Sequence, residues 1–162
     1  MIRRRSFLSL GIDINIRQAT PDDSAIIAEF NTRLADETES LRLEADVINA
    51  GVAAVLNDPS RGIYFVAEAD GKIIGQLMIT YEWSDWRNGN LWWIQSVYVA
   101  PAYRRRGIFR ALFKHVQALA NWQKEVCGLR LYMHAENAKA RRTYESLGMK
   151  ATHYQVFEID CR

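Results

Sequence analysis

The sequence predicts an α/β or α+β fold in which helices flank one central mixed β-sheet. The patterns along the chain run β, α, α, β, β, β, α, β, α, β, an order that combines hairpins with a strand, helix, strand crossover. The chain has 162 residues, of which 49% are hydrophobic and 25% charged, as is typical of one globular domain. We therefore expect a flexible N-terminal extension over residues 1–13 and a single domain over residues 14–162.

The N-terminal extension resembles a secretory signal only superficially. Its three arginines, Arg3–Arg5, precede an apolar stretch that Ser9 and Gly11 interrupt and that ends at Asp13, and it lacks a small-residue cleavage site. No run in the chain approaches the roughly 20 apolar residues that a membrane helix needs. The two cysteines lack metal-ligand spacing, so we expect reduced thiols in a cytoplasmic protein that has neither a metal site nor a membrane anchor.

The first part of the domain begins with one strand and two helices. Residues Ile14–Ala19 alternate between apolar and polar, as a strand does. Thr20 is a typical helix cap and Pro21 a typical first helical residue, and the helical pattern continues through Phe30. A second helix is predicted around Ala45–Leu56.

Three strands follow these helices. Asp70 and Gly71 lie between two β-rich runs and form the strongest hairpin signal in the chain. After a polar loop over Asp85–Asn90, the run Leu91–Ala100 is apolar at both alternating sets of positions. Such a run is typical of a central strand that is buried on both faces.

The rest of the chain returns to helices and strands in alternation. A helix is predicted from an apolar stripe at steps of three and four, which comprises Phe109, Leu112, Phe113, Val116, Leu119 and Ala120. A strand over Leu129–Glu136, a helix capped by Asn137 and closed by Gly148, and a last strand over Ala151–Asp160 complete the order.

The turn Arg104–Arg110 links the predicted central strand to the start of the next helix. The start of a helix presents backbone N–H groups and the positive end of the helix dipole, which together bind anions such as phosphate. Gly107 lets the backbone approach a ligand closely, and the arginines add charge-assisted hydrogen bonds. The alternative is that these arginines only form a solvated surface.

Two motifs in the correct order resemble the GCN5-related N-acetyltransferase (GNAT) superfamily. Arg104-Arg105-Arg106-Gly107-Ile108 fits the hallmark turn that opens a helix, and Asn137–Met149 is similar to a second family signature. The resemblance extends from Ile14 to about Asp160 and implies the acyl-CoA N-acyltransferase fold. It also implies that acetyl-CoA is the co-substrate and that an acetyl group passes directly to a primary amine of a small molecule or peptide. Because relatives often dimerise, a homodimer is a further expectation.

The resemblance places acetyl-CoA between the strand that ends at Val99 and the strand Leu129–Ala135, which splay apart. It implies that a backbone N–H near Val97 contacts the thioester oxygen and that Tyr144 is the general acid. The implied cofactor-binding positions are Val97, Tyr98, Val99, Arg104, Arg105, Arg106, Gly107, Ile108, Phe109, Arg110, Asn137 and Tyr144. For Tyr144 the alternative is core packing, and for Asn137 it is a purely capping role.

Phe109 departs from the family pattern, which usually has Gly or Ala there. Its position in the apolar stripe favours a ring that points into the core, whereas the alternative is a ring that crowds the cofactor.

The general base stays open. Many relatives place a glutamate on the central strand, but this chain has Gln95 and Ser96 in that region, and neither accepts a proton at neutral pH. Either a chain of waters or Glu82 could serve, and the alternative for Glu82 is a solvated strand end. His134 and His153 are further candidates as relays, although a lone histidine in a strand more often makes a structural hydrogen bond.

The acceptor side is predicted from charge and aromatic content. Acidic residues between the first two helices would favour a cationic amine, namely Asp36, Glu37, Glu39, Glu44 and Asp46. Aromatic residues could wall the same pocket, namely Tyr81, Trp83, Trp86, Trp92 and Trp93. The alternatives are a solvated loop for the acids and core positions for some of the tryptophans.

Three other interpretations compete with acetyl transfer. Nucleic-acid binding is disfavoured, because 21 basic and 19 acidic residues leave a net charge of only +2 and no recognised binding motif is present. A Rossmann domain is disfavoured because the turn lacks three spaced glycines. A catalytically degenerate CoA-binding protein with a regulatory or partner-binding role remains the alternative, since the strand glutamate is missing and Phe109 is bulky.

Overall fold

The computed structural model describes residues 13–161. They form two compact units, one that ends at Leu131 and one that begins at Tyr132. The predicted N-terminal extension lies outside the described residues except for Asp13, which is exposed.

The first unit contains the five strands found among the described residues. Its elements in chain order are β1 (Asn15–Gln18), α1 (Ser24–Glu39), α2 (Ala45–Asn57), β2 (Ile63–Ala69), β3 (Lys72–Ser84), β4 (Gly89–Val99), α3 (Ile108–Trp122) and β5 (Val126–Arg130). The strands lie in the order β1-β2-β3-β4-β5. Neighbours from β1 to β4 are antiparallel, and β4 pairs with β5 in parallel. The predicted mixed sheet and its crossover helix are confirmed.

Local sequence explains where α1 begins. Thr20 is in an extended conformation, and Pro21 opens a short 3-10 turn that leads into α1. The Asp23 carboxylate accepts a hydrogen bond from the Thr20 N–H at 2.8 Å, which pairs one backbone donor at the helix entrance. The same carboxylate accepts a hydrogen bond from Arg17 of β1 at 2.7 Å. The helix is thereby fixed to the edge strand from which it emerges.

Helices cover both faces of the sheet. On one face, Ile27 of α1 and Val52 of α2 belong to the same buried cluster as Tyr64 of β2. On the other face, the predicted stripe of α3 buries Leu112, Phe113 and Val116, among others. The ring centre of His115 in α3 lies 5.4 Å from that of Phe65 in β2. Successive residues of a strand face opposite sides of the sheet, so Phe65 faces α3 and its neighbour Tyr64 faces α1 and α2. The sheet is therefore the middle layer of three.

The second unit contains the helix α4 (Ala138–Ser146). Asn137 caps it as predicted, because its side-chain oxygen accepts a hydrogen bond from the Ala140 N–H at 2.9 Å. Gly148 follows the helix in the left-handed conformation, with φ of 88°, that glycine adopts without strain.

Two strand predictions in the C-terminal part were wrong: one strand is shorter than predicted, and the other does not form. The strand predicted over Leu129–Glu136 ends at Arg130, where its pairing with β4 stops. The last predicted strand, Ala151–Asp160, is not a strand in the structure, and all of its residues are exposed. Alternation of apolar residues predicts a strand only when a neighbour pairs with its backbone, and no described strand pairs with this segment.

Candidate functional site

The central strand β4 carries a bulge near its end. Tyr98 pairs with Gln76 of β3 and Gln95 pairs with Met78, so two residues of β4, Ser96 and Val97, lie opposite one residue of β3. Ser96 adopts a left-handed backbone conformation with φ of 50°, which is uncommon for a residue other than glycine. Bulges of this kind interrupt the pairing of the strand and change the direction in which its backbone groups point.

The two central strands separate just before this bulge. Trp93 and Arg130 form the last registered pair between β4 and β5. Within residues 13–161, the stretch of β4 from Ile94 to Val99 therefore has no strand partner on the β5 side. The backbone of Val97 and Val99, predicted to contact the cofactor, belongs to this open edge.

A buried amide network holds the bulge from the α1 side. Gln76 is fully buried, and its Nε2 donates to the Asn31 side-chain oxygen at 2.9 Å and to the Ser96 carbonyl at 3.2 Å. Asn31 of α1 in turn donates to the Tyr64 hydroxyl at 3.0 Å. The sequence analysis did not predict this network. The signal for it was Gln76 itself, which is a polar residue within an otherwise apolar run.

The turn after β4 has the geometry of an anion site. A short 3-10 turn, Pro101–Tyr103, leads to Arg105 with φ of 63° and to Gly107 with φ of 79°, both left-handed, and Gly107 caps the start of α3. Apart from its two chain neighbours, no described residue has a heavy atom within 4 Å of the position that a Cβ on Gly107 would occupy, so the backbone there is open to a ligand. The first turn of any α-helix directs N–H groups outward without acceptors in the helix itself, and its dipole favours negative charge. This turn can therefore hold a phosphate group.

The three arginines of the turn differ in their surroundings, although the sequence grouped them. Arg104 donates to the Val99 carbonyl at 2.8 Å and to Glu37 of α1 at 2.6 Å. Its guanidinium also lies over the ring of Tyr98, 5.2 Å from the ring centre. Arg105 and Arg106 are exposed, as Arg104 is, and the Arg106 guanidinium lies 5.8 Å from the ring centre of Tyr103. Arg104 thus joins α1 to the end of β4 through its bond to Glu37, whereas Arg105 and Arg106 are better placed to meet an anion from solvent.

Glu37 connects α1 to the buried phenol of Tyr98 as well as to Arg104. The Tyr98 hydroxyl donates to the Glu37 carboxylate at 2.7 Å. The hydrogen bonds from Tyr98 and Arg104 hold the pKa of Glu37 below its ordinary value. Burial raises the pKa of Tyr98, and the bond to Glu37 adds to that shift.

The start of α3 is fixed against the sheet by Ile108. This side chain is buried, and its Cγ2 atom lies 3.0 Å from the position that a Cβ on Gly75 would occupy. Phe109 is half-buried, with its ring centre 6.1 Å from that of the buried Phe113. The ring of Phe109 therefore lies beside a buried ring of the same helix.

Glu82, the candidate base, takes part in an ion pair at the point where β4 and β5 separate. Its carboxylate accepts hydrogen bonds from the Trp93 indole at 2.5 Å and from Arg130 at 3.1 Å. It pairs in register with Leu91, six residues before Val97, which corresponds to about 20 Å along a strand. Gln95 is closer to the bulge, and its amide donates to the Thr80 hydroxyl at 2.7 Å. This geometry favours a structural role for Glu82 over direct proton abstraction beside Val97.

Asn137 and Tyr144 lie in the second unit, whereas the bulge and the turn lie in the first. Tyr144 is half-buried, and burial raises the pKa of its phenol. A raised pKa keeps the phenol protonated at neutral pH, which a general acid requires. His134 and His153 are both exposed, and His153 lies beside the ring of Tyr154.

The predicted acceptor residues divide into paired, exposed and core positions. Among the acids, Glu37 is paired as described, and Asp36, Glu39, Glu44 and Asp46 are exposed. Among the aromatic residues, Trp92 is 4% exposed and belongs to the core, and Trp86 is 91% exposed. Tyr81 is half-buried and contacts Trp92 edge to face. The aromatic residues therefore do not form one pocket wall. The alternative expectation, that some of the tryptophans are core residues, holds for Trp92.

Comparison with known proteins agrees with this geometry. The model of the acetyltransferase (GNAT) family matches residues 25–149. The crystal structure of "a possible acetyltransferase from Clostridium difficile 630" is 47% identical, covers 92% of this chain and 98% of its own, and superposes with a TM-score of 0.87. No curated protein matches the chain.

More distant structures share the fold. An aminoglycoside N-acetyltransferase in complex with CoA is 19% identical, with coverage of 96% and 100% and a TM-score of 0.75. A ribosomal-protein-alanine N-acetyltransferase from Brucella melitensis biovar Abortus 2308 is 17% identical, with coverage of 91% and 98% and a TM-score of 0.73.

The family match and the 47% identical structure, together with the mixed sheet, the open strand edge and the glycine turn, identify an acyl-CoA-dependent N-acetyltransferase. The chain belongs to the GNAT acetyltransferase family, as the two motifs predicted. This family uses acetyl-CoA, and the open turn at Gly107 fits its phosphates. In the described part of the chain, no helix is long and apolar enough to cross a membrane, and no group of three or more His, Cys, Asp or Glu side chains could hold a metal ion.

Proposed function

We propose that this protein transfers an acetyl group directly from acetyl-CoA to a primary amine of a small molecule or peptide in the cytoplasm. The observation that carries the proposal is the open, left-handed Gly107 at the start of α3, directly after a β4 edge that no described strand covers. The turn offers a site for the diphosphate of CoA, and the open edge of β4 that precedes it offers backbone groups for the adjoining pantetheine.

In this proposal the turn holds the diphosphate. The backbone at Gly107 and the start of α3 provides hydrogen-bond donors, and Arg105, Arg106 and Arg110 provide positive charge. Arg104 contributes mainly by bracing the turn, because its guanidinium already contacts Glu37 and the Val99 carbonyl. The backbone of Val97 and Val99 pairs with the amides of pantetheine along the open edge of β4.

The chemistry needs two functions from the chain. The amine nitrogen of the acceptor forms a bond to the thioester carbonyl carbon, and the bond from that carbon to sulfur breaks. The Val97 N–H stabilises the negative charge that develops on the carbonyl oxygen. Tyr144 gives its proton to the departing thiolate and takes up a proton again from water. The acceptor loses one proton as an ammonium group before attack and a second after the N–C bond forms, and both leave through water.

The acceptor is proposed to be cationic before it reacts. The exposed acids around the end of α1 and the start of α2, such as Asp36, Glu39 and Glu44, give that surface a negative potential that attracts an ammonium group. Two structures with this fold are named for an aminoglycoside and for a ribosomal-protein alanine. Both small-molecule and peptide amines therefore belong in a substrate screen.

A transfer assay tests the proposal. Purified protein is incubated with acetyl-CoA and a set of polyamines, aminoglycosides, amino acids and peptides, and released CoA thiol is measured. We expect amine-dependent thiol release that Gly107→Glu abolishes, because this change places bulk and negative charge at the phosphate site. Gly71→Glu is the matched control, since Gly71 is also left-handed and, among residues 13–161 other than its chain neighbours, no heavy atom lies within 4 Å of its Cβ position. Equal activity in wild type and Gly107→Glu would refute the site.

A catalytically degenerate CoA-binding protein is the second candidate. It is favoured by Gln95 in the region of the central strand where many relatives carry a glutamate and by the hydrogen bonds of Glu82 with Trp93 and Arg130. Binding of acetyl-CoA without thiol release for any amine in the set would support this alternative.

A further inference from the structure

We propose that Gln76 is a positioning residue for acetyl transfer, because it fixes the peptide plane that carries the Val97 N–H. The inference rests on the proposed function and concerns how that N–H comes to face the thioester. Gln76 itself does not touch the reacting atoms in this account. It acts through the Ser96 carbonyl, which accepts a hydrogen bond from its Nε2 at 3.2 Å.

The orientation of the Gln76 amide follows from its partners. A backbone carbonyl only accepts hydrogen bonds, so the side-chain atom that faces Ser96 must be the NH₂ group. The same nitrogen donates to the Asn31 side-chain oxygen at 2.9 Å. Gln76 is fully buried between α1 and the sheet, so neither contact competes with solvent. The amide is therefore held in one orientation from two sides.

The Ser96 carbonyl and the Val97 N–H belong to the same peptide unit. The described backbone has no cis peptide, so these two groups point in nearly opposite directions in one rigid plane. When Gln76 holds the carbonyl towards the α1 face, the N–H must point away from it. The hydrogen bond to the carbonyl also polarises the peptide and makes its N–H a stronger donor.

The backbone at the bulge needs such a restraint. Ser96 is left-handed with φ of 50°, a conformation that a residue other than glycine keeps only where its surroundings enforce it. Rotation of the peptide between Ser96 and Val97 would exchange the directions of the carbonyl and the N–H. The contact from Gln76 opposes that rotation, because rotation would leave the Nε2 without the Ser96 acceptor.

An unsatisfied atom indicates that Gln76 is present for more than packing. Its Oε1 is buried and has no hydrogen-bond partner among the described residues. A leucine or methionine at this position would avoid that unfavourable burial, and the neighbouring positions Ile74 and Leu77 are apolar. The benefit of the amide is its contact with the bulge.

Substitution of Gln76 tests the proposal. Gln76→Met keeps the length of the side chain and removes the donor. We expect kcat for a substrate amine to fall about 10-fold to 100-fold. This is no more than the fall in kcat of about 100-fold to 1,000-fold that follows removal of an oxyanion donor itself. Affinity for CoA, which lacks the acetyl carbonyl, should stay within about twofold of wild type, whereas affinity for acetyl-CoA should fall more.

Tyr64→Phe is the matched control. It removes the hydrogen bond between Asn31 and the Tyr64 hydroxyl, at the other end of the network, and leaves the contact between Gln76 and Ser96 in place. We expect it to lower the melting temperature but to keep kcat within about twofold. If Gln76→Met does not fold, Asn31→Ser, which loosens Gln76 from its second partner, should give an intermediate loss of kcat.

The outcomes separate this inference from the proposed function. An active wild type with unchanged kcat in Gln76→Met, or in Asn31→Ser where the first variant does not fold, would overturn the positioning role alone. The positioning role would also be overturned if Tyr64→Phe lowered kcat as much as Gln76→Met does. It would be overturned as well if Gln76→Met lowered the affinities for CoA and acetyl-CoA equally. A wild type that neither binds acetyl-CoA nor releases thiol would instead overturn the proposed function.

Discussion

Gly75 and Gly51 should respond to the same substitution in opposite directions. A Cβ on Gly75 would lie 3.0 Å from Ile108 Cγ2 and 3.1 Å from the Tyr98 carbonyl oxygen. The carbonyl belongs to the paired strand β4, so it cannot move away without distorting the sheet. Gly51 lies within α2 and is exposed, and outside its chain neighbours and its own helix backbone no heavy atom of the described part of the chain lies within 4 Å of its Cβ position.

The structure sets the size of both effects. Overpacking of a buried site costs about 1–3 kcal/mol, so Gly75→Ala should be less stable by that amount. Gly51→Ala should gain about 0.5–1 kcal/mol, because alanine has a smaller entropy cost in a helix. For a protein of this size, ~1 kcal/mol shifts the melting temperature by about 2–4 °C. We therefore expect a melting temperature about 2–12 °C lower for Gly75→Ala and about 1–4 °C higher for Gly51→Ala.

Thermal and urea unfolding followed by circular dichroism measure both variants against wild type. Because Ile108 begins α3, Gly75→Ala should also weaken acetyl-CoA binding, while Gly51→Ala should leave it unchanged. A Gly75→Ala protein as stable as wild type would show that α3 does not approach the sheet as closely as described.

Three further predictions concern the site. Arg105→Ala should weaken acetyl-CoA binding about fivefold at low salt and less at high salt, whereas Arg104→Ala should mainly lower stability; equal losses of affinity in calorimetric titrations would contradict the distinction. Tyr144→Phe should lower kcat about 100-fold with unchanged CoA affinity, and full turnover on an identified amine would exclude the acid role. Because the folded-state pKa of Glu37 is lowered, its contacts with Tyr98 stabilise the protein at neutral pH and are lost as the pH falls through that pKa. The stability difference between wild type and Glu37→Gln should therefore shrink in acid, and urea unfolding that shows a constant difference would refute the linkage.

Features that depend on neighbouring residues could be predicted from the sequence. Pro21 and Asn137 mark helix starts through local geometry, and both are confirmed. Gly107 was predicted as the hinge of an anion site, and the structure gives it the left-handed conformation that the turn requires. In each case the physical cause lies within a few residues of the position itself.

Features that depend on distant pairing could not be predicted. The partner of Arg104 is Glu37, which is 67 residues earlier in the chain, and the contact between Gln76 and Ser96 spans 20 residues. Both follow from strand register and helix packing, which periodicity does not specify. The prediction of a strand over Ala151–Asp160 failed for the same reason. The alternating pattern is suitable for a strand, but the pattern alone does not specify a neighbouring strand that pairs with it.

Calorimetric titration of the wild-type protein with acetyl-CoA, with CoA, NAD and ATP as comparisons, tests the central claim most directly. The account predicts micromolar binding of acetyl-CoA and CoA, loss of both in Gly107→Glu, and no comparable binding of NAD or ATP. Absence of acetyl-CoA binding, or equal binding of all four ligands, would contradict the claim that the turn and the open edge of β4 form an acyl-CoA site.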